Sequence, residues 1–227
     1  MIPWEQLGRV LVPGGVELSL HRRDQEYVIR VNGHPLMGSR EHGSEDSLAH
    51  LGCAGLRDKT KPRVLIGGLG MGYTVRAALD VLGPKASVDV AELVPAVIAW
   101  NRGPLAHLAG APTADRRVTV LQGDVVPLIA KCRDRYDAML LDVDNGPNAL
   151  TSPANARLYG PAGLARSWTA LKTGGILAIW SAADDPRFTV ALERAGYAVR
   201  VERALARHNG TKKGGKRHVL WLAQKPV

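Results

Sequence analysis

The sequence predicts an α/β protein with a mainly parallel sheet, and three observations indicate this fold class. From Lys61 onward, short apolar strands alternate with helical patterns, which is typical of βαβ units. The strand predicted at 138–141 is an unbroken apolar run, as in strands that are buried on both faces. The end of the chain lacks a helical pattern and consists of two strand-like stretches joined by a Gly- and Lys-rich turn.

Each of the first four predicted strands ends in glycines or in an acidic residue. The strand 63–66 runs into the glycine-rich turn 67–72, and a helix follows over about 72–82. The other three strands and their acidic residues are 87–91 with Glu92, 118–121 with Asp124 and 138–141 with Asp142. Ligands of open parallel sheets bind beyond the carboxyl ends of the strands. These residues are therefore candidates for a binding site.

The remaining elements complete the predicted core. A helix that ends near 172–175 leads to a fifth strand at 176–180, and Asp185 caps a further helix. The stretches 197–205 and 218–223 form the closing hairpin. This order of elements predicts a Rossmann-like class I methyltransferase sheet with a C-terminal β-hairpin.

The beginning of the chain follows a different pattern. The stretches 16–20 and 27–31 read as a small N-terminal β-hairpin that is appended to the core. We therefore divide the chain into a small β-hairpin region at 1–60 and a cofactor-binding core at 61–227.

Composition limits the function classes. The net charge of +9 suggests an anionic partner, but only the cluster at 212–217 is dense, and it has no interleaved aromatic residues. Nucleic-acid binding is thus an alternative that we do not favour.

Cys53 and Cys132 show no metal-ligand spacing, so no metal is expected. No apolar run reaches the ~18 residues of a membrane span, and the N-terminus does not resemble a secretory signal. We expect a cytoplasmic protein that does not bind membranes.

The strand-end residues together favour a nucleoside-type ligand. Glycines in the turn 67–72 let the backbone pass close to a ligand at a helix N-terminus. Glu92 follows Gly72 by 20 residues, the spacing at which an acidic residue meets ribose hydroxyls. Asp124 could accept a hydrogen bond from an adenine amino group. Taken alone, each acidic residue could instead be a helix cap, and the glycines could form an ordinary turn between a strand and a helix. A dinucleotide is less suitable because a second βαβαβ half is missing.

At this point the sequence resembles the spermidine synthase (polyamine aminopropyltransferase) family, within the class I S-adenosylmethionine-dependent methyltransferase-like superfamily. The resemblance extends over nearly the whole chain, and the stretches that carry it are 64–72, 90–98, 123–124 and 136–142, with the hairpin and 47–51. It implies a small N-terminal β domain, a methyltransferase-like core and a homodimer.

The resemblance also implies roles for single residues. Asp142 occupies the position of the family's catalytic aspartate, where a carboxylate can bind an ammonium group and accept its proton. A turn-forming role for Asp142 is the alternative. The residues that correspond to cofactor contacts are Gly68, Gly70 and Gly72 along the cofactor, Glu92 at the ribose and Asp124 at the adenine.

Substrate contacts of the family are altered here. The family has an aspartate at the position of Gly70, where it helps hold the donor's amino end. The family's Asp-Ser-Ser-Asp-Pro corresponds to 142–146, so its second acid is shifted to Asp144 or neutralised at Asn145. The family's Tyr-(Gln/His)-Glu corresponds to Ser44-Glu45-Asp46. The substrate-binding candidates are therefore Asp144, Asn145, Glu45 and Asp46.

Three functions follow as alternatives. The first is a transferase that uses decarboxylated S-adenosylmethionine to aminopropylate an amine. The second is a methyltransferase that uses intact S-adenosylmethionine on another small-molecule acceptor; the lost acid at Gly70 favours it, because a donor that keeps its carboxylate would tolerate that acid poorly. The third is a non-catalytic relative that binds a nucleoside, or nucleic acid through the cluster at 212–217.

Overall fold

The computed structural model describes residues 2–12, 15–143, 157–207 and 216–227. Two sheets organise the described residues, one of four strands and one of seven. The predicted fold class, an α/β protein with a class I methyltransferase-like sheet, is confirmed. None of the helices in this part of the chain has the length and apolar character needed to cross a bilayer.

The N-terminal sheet is antiparallel and larger than predicted. Its strands lie in chain order and are β1 (Glu5–Val12), β2 (Val16–Arg23), β3 (Glu26–Val31) and β4 (His34–Gly38). The predicted hairpin corresponds to β2 and β3. The two-residue turn Asn32-Gly33 has positive φ at both positions and joins β3 to β4 tightly. The outer strands β1 and β4 were missed because they are largely exposed and lack a clear alternation of apolar residues.

The main sheet has the order β10-β11-β9-β8-β5-β6-β7. Strands β5 to β9 are parallel, and the terminal hairpin β10–β11 pairs antiparallel with β9. The strands are β5 (Arg63–Gly67), β6 (Ser87–Glu92), β7 (Val118–Gln122), β8 (Tyr136–Leu141), β9 (Leu171–Ser181), β10 (Ala198–Leu205) and β11 (Arg217–Gln224).

Six α-helices that lie wholly within the described residues accompany the sheets. They are α1 (Gly43–Cys53), α2 (Tyr73–Val81), α3 (Pro95–Arg102), α4 (Val125–Ala130), α5 (Pro161–Ala170) and α6 (Pro186–Arg194). The resemblance placed the first helix at 47–51, whereas α1 already begins at Gly43. This earlier start brings Ser44, Glu45 and Asp46 into the first turn of a helix.

The core lies on both faces of the central strand β8, whose residues are all buried. Because successive side chains of a strand point to opposite faces, Leu140 packs with α1, α2 and α3 while Leu141 packs with α4, α5 and α6. The first of these two clusters also contains Leu20 and Ile29 of the N-terminal sheet. The apolar core is therefore continuous between the two sheets, and the division at residue 60 stays a prediction.

One predicted boundary was wrong. The helix expected to end near 172–175 is α5, which ends at Ala170, and the Gly-rich stretch lies inside β9. Pairing shifts there from Tyr136↔Leu171 to Ala138↔Ile176, and Gly174 has a φ of +74°. The glycines therefore accommodate an irregularity in a strand rather than a helix end.

Candidate functional site

The glycine-rich turn between β5 and α2 brings the backbone close to the end of β8. Gly68, Gly70 and Gly72 have φ values of +87°, +52° and +87°, which favour glycine. A Cβ atom on Gly68 would lie 2.4 Å from the backbone oxygen of Asp142. The turn is thus fixed by conformation and by close contact, and it begins α2 at the carboxyl edge of the sheet.

Gly68→Ala is expected to destabilise the protein by about 2 kcal/mol or more, because an unfavourable φ and a backbone collision add together. Gly33→Ala is the matched control: its φ is +79°, but no atom lies within 4 Å of the added Cβ. The control should cost only about 1 kcal/mol. Urea unfolding measures both free energies of unfolding, and equal losses would contradict the close approach of the turn to Asp142.

Glu92 lies at the carboxyl end of β6 and is buried, with a relative exposure of 7%. One carboxylate oxygen accepts a hydrogen bond from the backbone N–H of Leu69 at 2.9 Å, and the other accepts one from Val94 at 2.8 Å. Burial raises the pKa of Glu92, and the backbone N–H donors oppose this shift. Glu92 therefore holds the glycine-rich turn against β6 at the carboxyl end of the strand.

Asp124 caps α4, with its Oδ1 accepting a hydrogen bond from the backbone N–H of Val126 at 2.8 Å. The helix-cap alternative considered for this residue thus describes its geometry. Its Oδ2 has no hydrogen bond within the described residues. A contact to an adenine amino group is compatible with this arrangement and stays a prediction.

Asp142 follows β8 directly and extends its pairing with β5, because its backbone N–H donates to the carbonyl of Gly67 at 2.9 Å. Its Oδ2 accepts a hydrogen bond from the Thr74 hydroxyl of α2 at 3.0 Å. Desolvation by the surrounding protein raises the pKa of Asp142 to about 6, and the Thr74 hydrogen bond opposes this shift. Thr74 was not predicted from the sequence, where no pattern distinguishes it from other helix residues.

Glu45 lies near Asp142 although 97 positions separate them in the sequence. It is buried in the first turn of α1 and accepts a hydrogen bond from the Ser44 hydroxyl at 2.5 Å. Burial and, next, the negative charge of Asp142 raise the pKa of Glu45 to about 7. The structure therefore brings two of the predicted site residues together as a pair of desolvated carboxyl groups.

Ser44, which donates to Glu45, belongs to a buried network of hydrogen bonds. The indole N–H of Trp180 on β9 donates to the Ser44 hydroxyl at 3.0 Å, and the Nδ1 of His218 on β11 lies 2.8 Å from the same oxygen. Burial lowers the pKa of His218 to about 4, so its imidazole is neutral at pH 7. A proton on Nδ1 lets His218 donate to Ser44, whose hydroxyl proton is then free to bind Glu45. The sequence alone does not connect these three elements.

Asp46 lines a neighbouring groove between α1 and α2. Its carboxylate lies 2.7 Å from Nδ1 of His42, and this hydrogen bond raises the pKa of His42. The His42 ring stacks on Tyr73 with a centroid distance of 4.0 Å. The groove has a volume of about 610 Å³ and also contains His50 and Asp80.

The other two substrate-binding candidates, Asp144 and Asn145, lie outside the described residues. The turn-forming alternative for Asp142 involves the same stretch and stays a prediction. Within the described ranges, no cluster of His, Cys, Asp and Glu side chains could hold a metal ion.

Glu45→Gln is expected to stabilise the protein at alkaline pH. The pKa of Glu45 in the folded protein is raised from 4.5 to about 7, so its protonated form is favoured by folding. That contribution is complete below about pH 4.5 and is lost as the pH rises through about 7. Above this window the wild type holds a buried charge that the glutamine lacks, a difference of about 1–3 kcal/mol.

Chemical unfolding at pH 5 and pH 8.5 measures this effect. The gain from Glu45→Gln should appear at pH 8.5 and largely disappear at pH 5. Glu193→Gln on the exposed side of α6 is the matched control. Its free energy of unfolding should differ from that of the wild type by the same amount at both pH values. A gain that is the same at pH 5 and pH 8.5 would show that the charge of Glu45 is not its cause.

Fold and site geometry together define a class. A parallel sheet with a glycine-rich first turn, acidic residues at the following strand ends and an antiparallel terminal hairpin make this a class I methyltransferase-like α/β protein, with an antiparallel N-terminal sheet added.

Comparisons with solved structures are more specific. The structure is similar to a spermidine synthase in complex with the transition state analogue AdoDATO, with a TM-score of 0.73 at 16% identity over 98% of this chain and 73% of that chain. It is similar to spermidine synthase from Thermotoga maritima, with a TM-score of 0.74 at 18% identity over 98% and 73% of the two chains. A probable spermidine synthase from Corynebacterium glutamicum ATCC 13032 gives a TM-score of 0.63 at 14% identity over 97% and 79%.

No protein-family model matches the sequence, and no curated protein matches it. The chain thus has a spermidine synthase-like fold, which confirms the resemblance at the level of structure.

Proposed function

We propose that the chain is a transferase that moves an aminopropyl group from decarboxylated S-adenosylmethionine to an amine acceptor. The observation that carries this proposal is the pair formed by Asp142 and Glu45 beside the glycine-rich turn. Two desolvated carboxyl groups of raised pKa, at the carboxyl edge of a parallel sheet, suit a cationic substrate. The spermidine synthase-like fold supports the same reaction class.

The described residues fit the nucleoside end of such a donor. Glu92 lies at the carboxyl end of β6 beside the glycine-rich turn, where a carboxylate can accept hydrogen bonds from the hydroxyls of a ribose. Asp124 keeps its Oδ2, enough for one amino group. Gly68 and Gly70 have no side chains, so a ligand can approach the backbone of the glycine-rich turn.

Asp142 and Glu45 would act on the acceptor. An amine reaches the site as an ammonium ion, which the pair binds, and Asp142 then accepts one proton so that the nitrogen lone pair is free. The C–N bond forms as the C–S bond of the donor breaks, and the electron pair of that bond stays on sulfur. Methylthioadenosine is then the by-product. Thr74 orients Asp142 in this step, and Ser44 orients Glu45.

Methyl transfer from intact S-adenosylmethionine is the second candidate, and the surroundings of Gly70 favour it. The family's aspartate at this position is absent, and Met37 is the nearest side chain to the place that a side chain at Gly70 would occupy. Without an acid at this point, the carboxylate of an intact donor meets no repulsion from it.

The nucleoside by-product distinguishes the two reactions. Purified protein is incubated with either donor and a set of amines, and the products are identified by mass spectrometry. Methylthioadenosine together with a propylamine-extended acceptor is the expected result, whereas S-adenosylhomocysteine would assign methyl transfer. Formation of neither product, with an active spermidine synthase as the positive control, would contradict both.

A further inference from the structure

A second concave surface lies at the amino ends of the parallel strands, on the edge of the sheet opposite to the candidate site. We name it the basic cavity; it has a volume of about 590 Å³. Seven basic side chains line it, but only one acidic side chain, Asp134. That carboxylate lies 3.3 Å from Nζ of Lys225, so it neutralises little of the charge within the cavity.

Three of the seven basic side chains face buried carboxylates beneath the cavity. Lys172 pairs with Asp137 at 2.7 Å, while Arg63 and Arg135 lie 3.8 and 3.4 Å from Asp89. Asp137 is also paired with Lys59 at 2.7 Å, outside the lining. The two carboxylates are thus shared among more cations than they can neutralise.

The remaining four basic side chains are exposed and form no ion pair within the described residues. They are Lys61, Lys85, Lys131 and Arg133. Lys131 follows the last residue of α4, where a cation stabilises the carboxyl end of a helix. That role does not apply to Lys61, which precedes a strand, or to Lys85, which lies four positions beyond α2.

The lining also includes the guanidinium groups of Arg63, Arg133 and Arg135. Arginine and lysine donors that converge on a concave surface are the usual means of binding phosphate. The polar, cationic lining gives an apolar ligand little surface to contact.

We propose that the basic cavity binds an oligophosphate, meaning several linked phosphate groups. The geometry and the local excess of positive charge suit an extended chain of phosphates, which could belong to a free polyphosphate or to the backbone of a nucleic acid. This site is independent of the proposed transferase function, because none of its lining residues belongs to the candidate site.

Calorimetric titration of the whole protein with inorganic tripolyphosphate tests the proposal. The test variant neutralises the four unpaired cations together: Lys61→Gln, Lys85→Gln, Lys131→Gln and Arg133→Gln. The matched control also removes four charges, from exposed arginines on helices outside the cavity: Arg102→Gln, Arg166→Gln, Arg187→Gln and Arg194→Gln. Thermal unfolding checks that both variants fold.

The expected result is binding by the wild type and by the control, with affinity reduced by about tenfold or more in the test variant. The affinity should fall with added salt. Absent binding by the wild type, or an equal loss in the control, would overturn the proposal. A second arm uses a single-stranded oligonucleotide. If the oligonucleotide binds more tightly than tripolyphosphate, and only the test variant loses this binding, nucleic acid is the source of the phosphates. If the oligonucleotide binds more weakly than tripolyphosphate, a free polyphosphate is the source.

Discussion

Asp142→Asn is expected to lower the rate of transfer by about 10²–10⁴-fold while leaving donor affinity within about threefold. Asparagine has the size of aspartate and can still accept the hydrogen bond from Thr74, so the end of β8 should keep its shape. It cannot take the proton of an ammonium acceptor. Single-turnover kinetics measure the chemical step, and titration with the donor measures its binding.

Asp184→Asn is the matched control, because Asp184 is half-exposed and pairs with Arg203 rather than with the site. It should leave the rate unchanged. In the wild type, the rate should rise with pH through about 6, where Asp142 loses its proton. Full activity of Asp142→Asn would remove this residue from the mechanism, even if the fold and the donor site are as described.

Glu92→Ala is expected to weaken donor binding by about ten- to a hundredfold, because hydrogen bonds to a charged group contribute about 1.5–3 kcal/mol. It also leaves the backbone N–H groups of Leu69 and Val94 without their acceptor. Some loss of stability should therefore accompany the loss of affinity. Calorimetry measures the affinity, at a temperature where thermal unfolding shows the variant to be folded.

Glu92→Asp separates the two effects. It keeps a carboxylate at the end of β6 but shortens its reach, so its affinity should lie between those of the wild type and Glu92→Ala. The exposed Glu193→Gln serves as the control for charge alone and should bind the donor normally. Unchanged affinity in Glu92→Ala would contradict the placement of the nucleoside at this strand end.

The strands that could be predicted are those whose own sequence shows a clear local pattern. The apolar run of β8 and the glycine-rich turn after β5 are local patterns, and parallel pairing then places Glu92, Asp124 and Asp142 at one edge. Strands β1 and β4 gave no such signal, since they are mostly exposed. The glycines of 172–175 were misassigned because a helix end and a strand irregularity both favour glycine.

The supporting residues of the site could not be predicted for a different reason. Ser44, Trp180 and His218 come from α1, β9 and β11, and only tertiary packing brings their polar atoms together. The same is true of the proximity of Glu45 to Asp142. Burial raises the pKa of both carboxyl groups, and the charge of Asp142 adds to the shift of Glu45. Cofactor identity, the homodimer and the cytoplasmic location stay predictions.

Calorimetric titration with decarboxylated and with intact S-adenosylmethionine tests the central claim most directly. We expect the protein to bind an adenosyl donor, to prefer the decarboxylated form, and to lose affinity in Glu92→Ala but not in Asp142→Asn. Preference for the intact donor would move the assignment to methyl transfer at the same site. Binding of neither donor by folded protein would contradict the claim that this site holds an adenosyl sulfonium.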